Sequence, residues 1–170
     1  MVQGINVDQK ILHFIILIAI VLAISGCIDS DATDTNTSPQ DKAGLISVAN
    51  LSDINKALGT GAVLVEIGSE SCPACKAQKP IMEDIAAEYE GRANVLYIDA
   101  GKVGTLGFGV NYVPDSFVIA GIENGTYVYM KSDGQTTTDR EEARFLGLTK
   151  KAVLTQTLDY AVEERNRTDL

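Results

Sequence analysis

At 170 residues the chain has room for one ordinary domain and a further segment. Its 45% hydrophobic and 22% charged residues are those of a globular protein. The net charge of −9 argues against a nucleic-acid partner, whose phosphates call for a basic footprint.

The N-terminal stretch reads as a processing segment. Ile11 to Ile24 is apolar except for His13, which suits a signal-peptide core and falls short of the roughly 20 residues of a spanning helix. It closes with Ile24, Ser25, Gly26 and Cys27, a tetrapeptide that resembles the lipobox of prokaryotic lipoproteins. That resemblance implies loss of residues 1–26 as a signal peptide and a lipid on the sulfur of Cys27. The alternative is an uncleaved signal anchor with a free Cys27, since Lys10 is the only basic residue ahead of the apolar run. Either reading puts the remaining chain outside the membrane. Cleavage would remove Asp8 and Lys10, whose charges cancel, and His13, the sole histidine. No Ser-His-Asp or Cys-His catalytic set, and no histidine metal site, could then be assembled.

Residues 27–44 are expected to be a tether, because Asp29 to Lys42 is rich in Asp, Thr, Ser and Asn and carries too little apolar surface for a core. A folded domain is expected over 45–165, with a tail at 166–170. Leu45 to Ala49 is a short strand candidate, and Ser52 with Asp53 reads as the N-cap of a helix through Leu58 that Gly59 stops. Ala62 to Ile67 is a β-branched run without polar alternation, the pattern of a strand buried on both faces. A long helix follows, with Ile81, Ile85 and Tyr89 at four-residue spacing beside Met82 and Ala86, and Gly91 as its stop. Pro80 lies inside that helix, where it removes a hydrogen bond and is expected to kink it.

Val95 to Asp99 is the next strand, and Lys102 to Gly109 at best a short, loose helix. Val113 and Pro114 precede a strand over Ser116 to Ala120, and Asn124 with Gly125 turns it into an antiparallel partner over Thr126 to Lys131. Ser132 to Leu146 fits no regular element and reads as a surface excursion. Thr149 is the expected cap of a last helix with Leu154, Leu158, Ala161 and Val162 on its apolar face. This order predicts an α/β fold, a mixed sheet with helices on both faces.

Between the buried strand and the long helix stand Ser69, Glu70, Ser71, Cys72, Pro73, Ala74 and Cys75. Cysteines two residues apart at such a junction put the first sulfur at the exposed helix N-terminus, where unpaired N–H groups and the helix dipole stabilise a thiolate. The second falls within the first turn. That arrangement suits thiol–disulfide exchange, with Cys72 attacking and Cys75 resolving the mixed disulfide. Half of a zinc site is the competing reading, but zinc needs about four ligands, which Cys27 and His13 cannot complete.

Over Leu45 to about Val162 the chain resembles the thioredoxin family. The resemblance rests on the buried strand before Cys72, Pro73, Ala74, Cys75, on Pro80 in the same helix, on Asp99 closing the third strand, and on Val113, Pro114 before the hairpin. It implies a thioredoxin fold and a redox-active Cys72–Cys75 disulfide with no other cofactor and no metal. It also implies a cis Val113–Pro114 bond that meets the client chain, and supporting roles for Pro73, Ala74 and Pro80. Glu66 stands where the family carries a buried carboxylate that relays the proton of the resolving cysteine. Burial should raise its pKa, since the family's lysine partner is Val95 here; a carboxylate turned out to solvent is the alternative. Ser71 replaces the family's aromatic before the first cysteine, and Asp115 follows the proline.

Together these readings predict a monomeric protein-disulfide oxidoreductase on the outer face of a prokaryotic cytoplasmic membrane. Its expected partners are extracytoplasmic proteins with thiols or disulfides and a membrane electron carrier that resets the cysteines. The alternative function is a non-catalytic carrier of a soft ion such as Cu(I) on the same two sulfurs. Against it, Pro114 is present and Met82 lies well along the helix. Asn36, Asn50, Asn124 and Asn166 each begin an Asn-x-Ser/Thr sequon, which suits an exported and glycosylated, archaeal-type surface protein.

Overall fold

The computed structural model describes residues 44–168. The expected signal peptide, lipidated Cys27, most of the tether and the Asn36 sequon lie outside these residues. Among the described residues no helix is long and apolar enough to cross a membrane.

The elements follow the expected order. Strand β1 (Leu45–Val48) leads to helix α1 (Leu51–Leu58), strand β2 (Ala62–Gly68), helix α2 (Pro73–Glu88) and strand β3 (Ala93–Asp99). A single 3₁₀ turn, Val103–Leu106, precedes strands β4 (Asp115–Glu123) and β5 (Thr126–Met130). The stretch expected to be irregular instead holds strand β6 (Thr136–Thr137), helix α3 (Arg140–Ala143) and strand β7 (Phe145–Leu146), after which helix α4 spans Lys151–Thr168. Helix α4 thus runs through residues 166–168, which the sequence reading assigned to a tail.

The sheet order is β1-β3-β2-β4-β5-β6, with β7 pairing β4 beside its start. Strands β1, β3 and β2 are parallel, and β4 and β5 add antiparallel. Parallel strands have both faces covered, and every residue of β2 is buried accordingly. Val63, Val65 and Ile67 face Ile54, Ala57 and Leu58 of α1. Ala62 and Leu64 face Met82 and Ile85 of α2, Tyr89 at its C-cap, and Leu154, Leu158 and Ala161 of α4. By the alternation of a strand, Glu66 falls on this second face.

Three local expectations are corrected. The cap of α1 is Asn50, whose side chain accepts from the Asp53 N–H at 3.1 Å, and Ser52 donates to that same oxygen. The buried residues of α2 are Cys75, Gln78, Met82, Ile85 and, as expected, Ala86, with Tyr89 buried at its C-cap, whereas Ile81 is only partly covered. A strict spacing of four overshoots a 3.6-residue turn, and alternate steps of three and four hold the line. Thr149 does not cap α4 with its side chain, because its hydroxyl donates to the Gly147 carbonyl at 3.1 Å. The hairpin turn is as expected, with Asn124 and Gly125 at φ +51° and +80°, the left-handed pair that matches strand twist.

Arg165 near the end of α4 ties the layers together. Its two terminal nitrogens donate to Ala120 O and Leu58 O, each at 2.8 Å. Arg165→Met should leave both carbonyls without this donor and cost about 1–2 kcal/mol in urea unfolding. No change would show that water replaces the guanidinium without loss.

Candidate active site

Cys72 is the N-cap of α2. Its backbone is extended, with Pro73 in the first helical position, where the missing N–H costs nothing. The Cys75 N–H points at Cys72 Sγ from 3.2 Å. Hydrogen bonding from Cys75, with further help from the Ala74 N–H, holds the Cys72 thiol below its ordinary pKa, against opposing desolvation and the charge of Glu66. Cys75 lies one turn on and is 4% exposed. Burial, followed by the hydrogen bond with Cys72, pushes its thiol up to about 11. The pair is therefore asymmetric: an accessible sulfur disposed to be a thiolate, and a covered one disposed to keep its proton.

The Val113–Pro114 bond is cis, as the resemblance implied. Cys72 Sγ lies 3.6 Å from the Val113 carbonyl, so the segment before Pro114 forms the opposite lip of the site. Pro80 sits within an unbroken α2, further along the helix from the sulfurs.

Glu66 is 1% exposed, which rules out the solvated strand-end alternative. Both carboxyl oxygens are buried without a hydrogen-bond partner. Desolvation raises its pKa to about 7, opposed by the charge of Lys79. Lys79 was missed in the sequence, although four residues after Cys75 it falls on the same side of α2. Val95 pairs with Leu64, two residues before Glu66, and the positive charge acting on Glu66 stands on the helix instead of the strand. On the sheet, Glu66 stands between Tyr97 of β3 and Ser116 of β4. The Tyr97 phenol is pushed to about 12 by burial and then by nearby negative charge, with Asp99 ahead of Glu66 and Cys75. Ser116 Oγ and Gln78 Nε2 are likewise buried and unpartnered. Glu66 and Tyr97 thus lie within electrostatic reach of Cys75, and of the two the sequence reading named only Glu66.

The structure therefore brings Cys72, Pro73, Ala74, Cys75, Val113 and Pro114 to one surface, with Glu66 below. The position of Asp115 was also unforeseen. It is fully buried, and its Oδ2 accepts from Arg140 at 2.8 Å. Its partner stands 25 residues further along the chain, so no local pattern in the sequence announced the pair.

Comparisons with known proteins agree with this geometry. No family model matches the chain. Over 50 residues, 29% of this chain, it is 35% identical to thioredoxins of Staphylococcus aureus, a stretch covering 48% of their length. The chain thus spans about half the length of the curated relatives it matches. A thioredoxin variant from Halobacterium salinarum superposes with a TM-score of 0.50 at 18% identity, covering 70% of this chain and 91% of that one. A thioredoxin from Nicotiana alata gives 0.52 at 17% identity, covering 73% and 98%. With a mixed sheet between helical layers and a Cys-Pro-Ala-Cys pair opening α2 against a cis proline, the chain is thioredoxin-like in fold.

Proposed function

We propose that the chain is a thiol–disulfide oxidoreductase that exchanges disulfides with extracytoplasmic proteins. The opposed proton affinities of Cys72 and Cys75 carry this reading. The Cys72 thiolate attacks one sulfur of a client disulfide, forming a mixed disulfide and expelling the client's other sulfur as a thiolate. Cys75 then gives up its proton and attacks Cys72 Sγ. The Cys72–Cys75 disulfide forms, the second client sulfur leaves, and two electrons have passed to the client. The reverse sequence oxidises a client dithiol. A carboxylate with a pKa near 7 is matched to accept the Cys75 proton near neutral pH, which gives Glu66 its role, through an intervening water. The Val113 backbone beside Cys72 receives the client chain as an added strand. Joint ligation of a soft metal needs both sulfurs deprotonated, and the raised Cys75 opposes it.

The lipobox-like Ile24 to Cys27 and the polar stretch after it support a lipid-anchored protein at the outer membrane face, reset there by a membrane electron carrier. Mass spectrometry of the membrane-extracted protein should find a chain starting at lipidated Cys27. An unmodified chain starting at Met1 would refute the anchor. For the chemistry, the purified protein equilibrated in glutathione buffers should show a single two-electron transition and should catalyse insulin reduction by dithiothreitol. A protein that forms the disulfide yet leaves insulin reduction at the uncatalysed rate would refute the oxidoreductase reading.

A further inference from the structure

We infer that Arg140 is a positioning residue that clasps the chain on both sides of Val113–Pro114 and so fixes the client-accepting lip of the site. The inference rests on the exchange chemistry proposed above. Asp115 follows Pro114 directly, and its backbone is held between Ile67 of β2 and Leu146 of β7. Arg140, 8% exposed, donates from Nη1 to Asp115 Oδ2 at 2.8 Å, and Arg144 Nη1 reaches the same oxygen at 3.4 Å. Nη2 of Arg140 donates to the Gly109 carbonyl, upstream of Pro114. The guanidinium lies over the rings of Phe117, 5.1 Å to the centroid, and Phe108, 5.9 Å. Glu141 pairs with both arginines on the solvent side. The Gly147 N–H donates to Pro114 O at 2.8 Å, so the same excursion that delivers Arg140 also grips the proline.

One planar, forked cation therefore joins Gly109, before the lip, to Asp115, after it. Arginine can do this because its nitrogens diverge in a fixed plane, whereas a lysine ammonium is a single point at the end of a flexible stem. Buried ion pairs contribute little stability beyond what apolar packing would supply, so the distinctive effect of this one is geometric. Without the fork, segment 109–114 remains attached through Gly147 and the core packing of Val110 and Val113 but loses its polar upstream anchor, and the Val113 backbone is no longer held at one distance from Cys72.

The test is Arg140→Lys in the full-length protein, which keeps the buried charge. Its KM for insulin should rise on the order of tenfold, as expected for a misplaced positioning group. Its kcat should stay within about twofold, and the rate at which iodoacetamide alkylates Cys72 should match the parent. Amide exchange across 109–114 should quicken. A parental KM with parental exchange would overturn the clasp. So would a KM change accompanied by an equal change in alkylation, because Arg140 would then act on the thiol. If Arg140→Lys does not fold, Arg140→Met with Asp115→Asn removes both buried charges, and the same outcomes decide. If the parent itself leaves insulin unreduced, the oxidoreductase reading fails. The clasp is then decided by amide exchange alone: faster in the variant supports it, unchanged overturns it.

Discussion

Cys75→Ser is expected to accumulate mixed disulfides between Cys72 and client proteins, while Cys72→Ser is expected to accumulate none. The difference follows from where α2 begins. Cys72 caps the helix, receives the Cys75 N–H at 3.2 Å and is held below its ordinary pKa, so it is the thiol of the pair that ionises more readily. Cys75 is covered and its thiol is pushed to about 11, so it attacks the Cys72 sulfur of the mixed disulfide and not a client directly. Removing the resolver stops the cycle after the first bond has formed, and removing the attacker stops it before. Turnover in Cys72→Ser should fall by on the order of a thousandfold, as for loss of a nucleophile acting in concert with its partner. Non-reducing electrophoresis against extracted surface proteins reads the trapped species. Equal trapping by both variants, or trapping by Cys72→Ser alone, would reverse the assigned roles.

Glu66→Leu should stabilise the protein increasingly as pH rises. The carboxyl is buried with neither oxygen paired, and its pKa of about 7 exceeds the ordinary value of 4.5. The folded state therefore holds a proton that the unfolded state has released. Stability is fully present below about pH 4.5, falls as pH climbs toward 7, and levels off above it. The shift amounts to about 3 kcal/mol between the two limits, taking about 1.4 kcal/mol per pKa unit. The stability gap between Glu66→Leu and the parent should widen by about that amount from pH 4 to pH 8 in urea unfolding. The same variant should prolong the lifetime of the mixed disulfide, because Cys75 loses its proton acceptor. A stability gap that does not change with pH would place the Glu66 proton affinity at its ordinary value and remove its claim to the relay.

The sequence was most legible where period and burial agree. The run Ala62 to Ile67 could only be a strand covered on both faces, and its junction with a cysteine-led helix located the site. Legibility failed where polar residues occupy buried positions and find partners far along the chain. Gln78 sits on the apolar line of α2 because its Oε1 accepts the Thr149 N–H at 2.7 Å, a bond spanning the distance from α2 to the start of α4. Thr157 is buried on α4 because its hydroxyl returns to the Val153 carbonyl at 2.9 Å. The Gln78 contact has no local signature, whereas the Thr157 bond is the local return of a helical threonine to the preceding turn. The stretch 132–146 was read as an excursion because a four-residue helix and two-residue strands are too short to display a period. Its purpose is visible only once Asp115 is known to be buried. Lys79, by contrast, was within reach of helical spacing alone.

The asymmetry of the two thiols is read out by the pH dependence of their alkylation. The reduced protein is exposed briefly to iodoacetamide across a pH series, and each cysteine is quantified by peptide mass spectrometry. Cys72 should be modified with a midpoint below the ordinary thiol value of 9, and Cys75 should stay protected until the pH approaches about 11. Coincident profiles for the two cysteines, or earlier modification of Cys75, would show that Cys72 is not the attacking thiol.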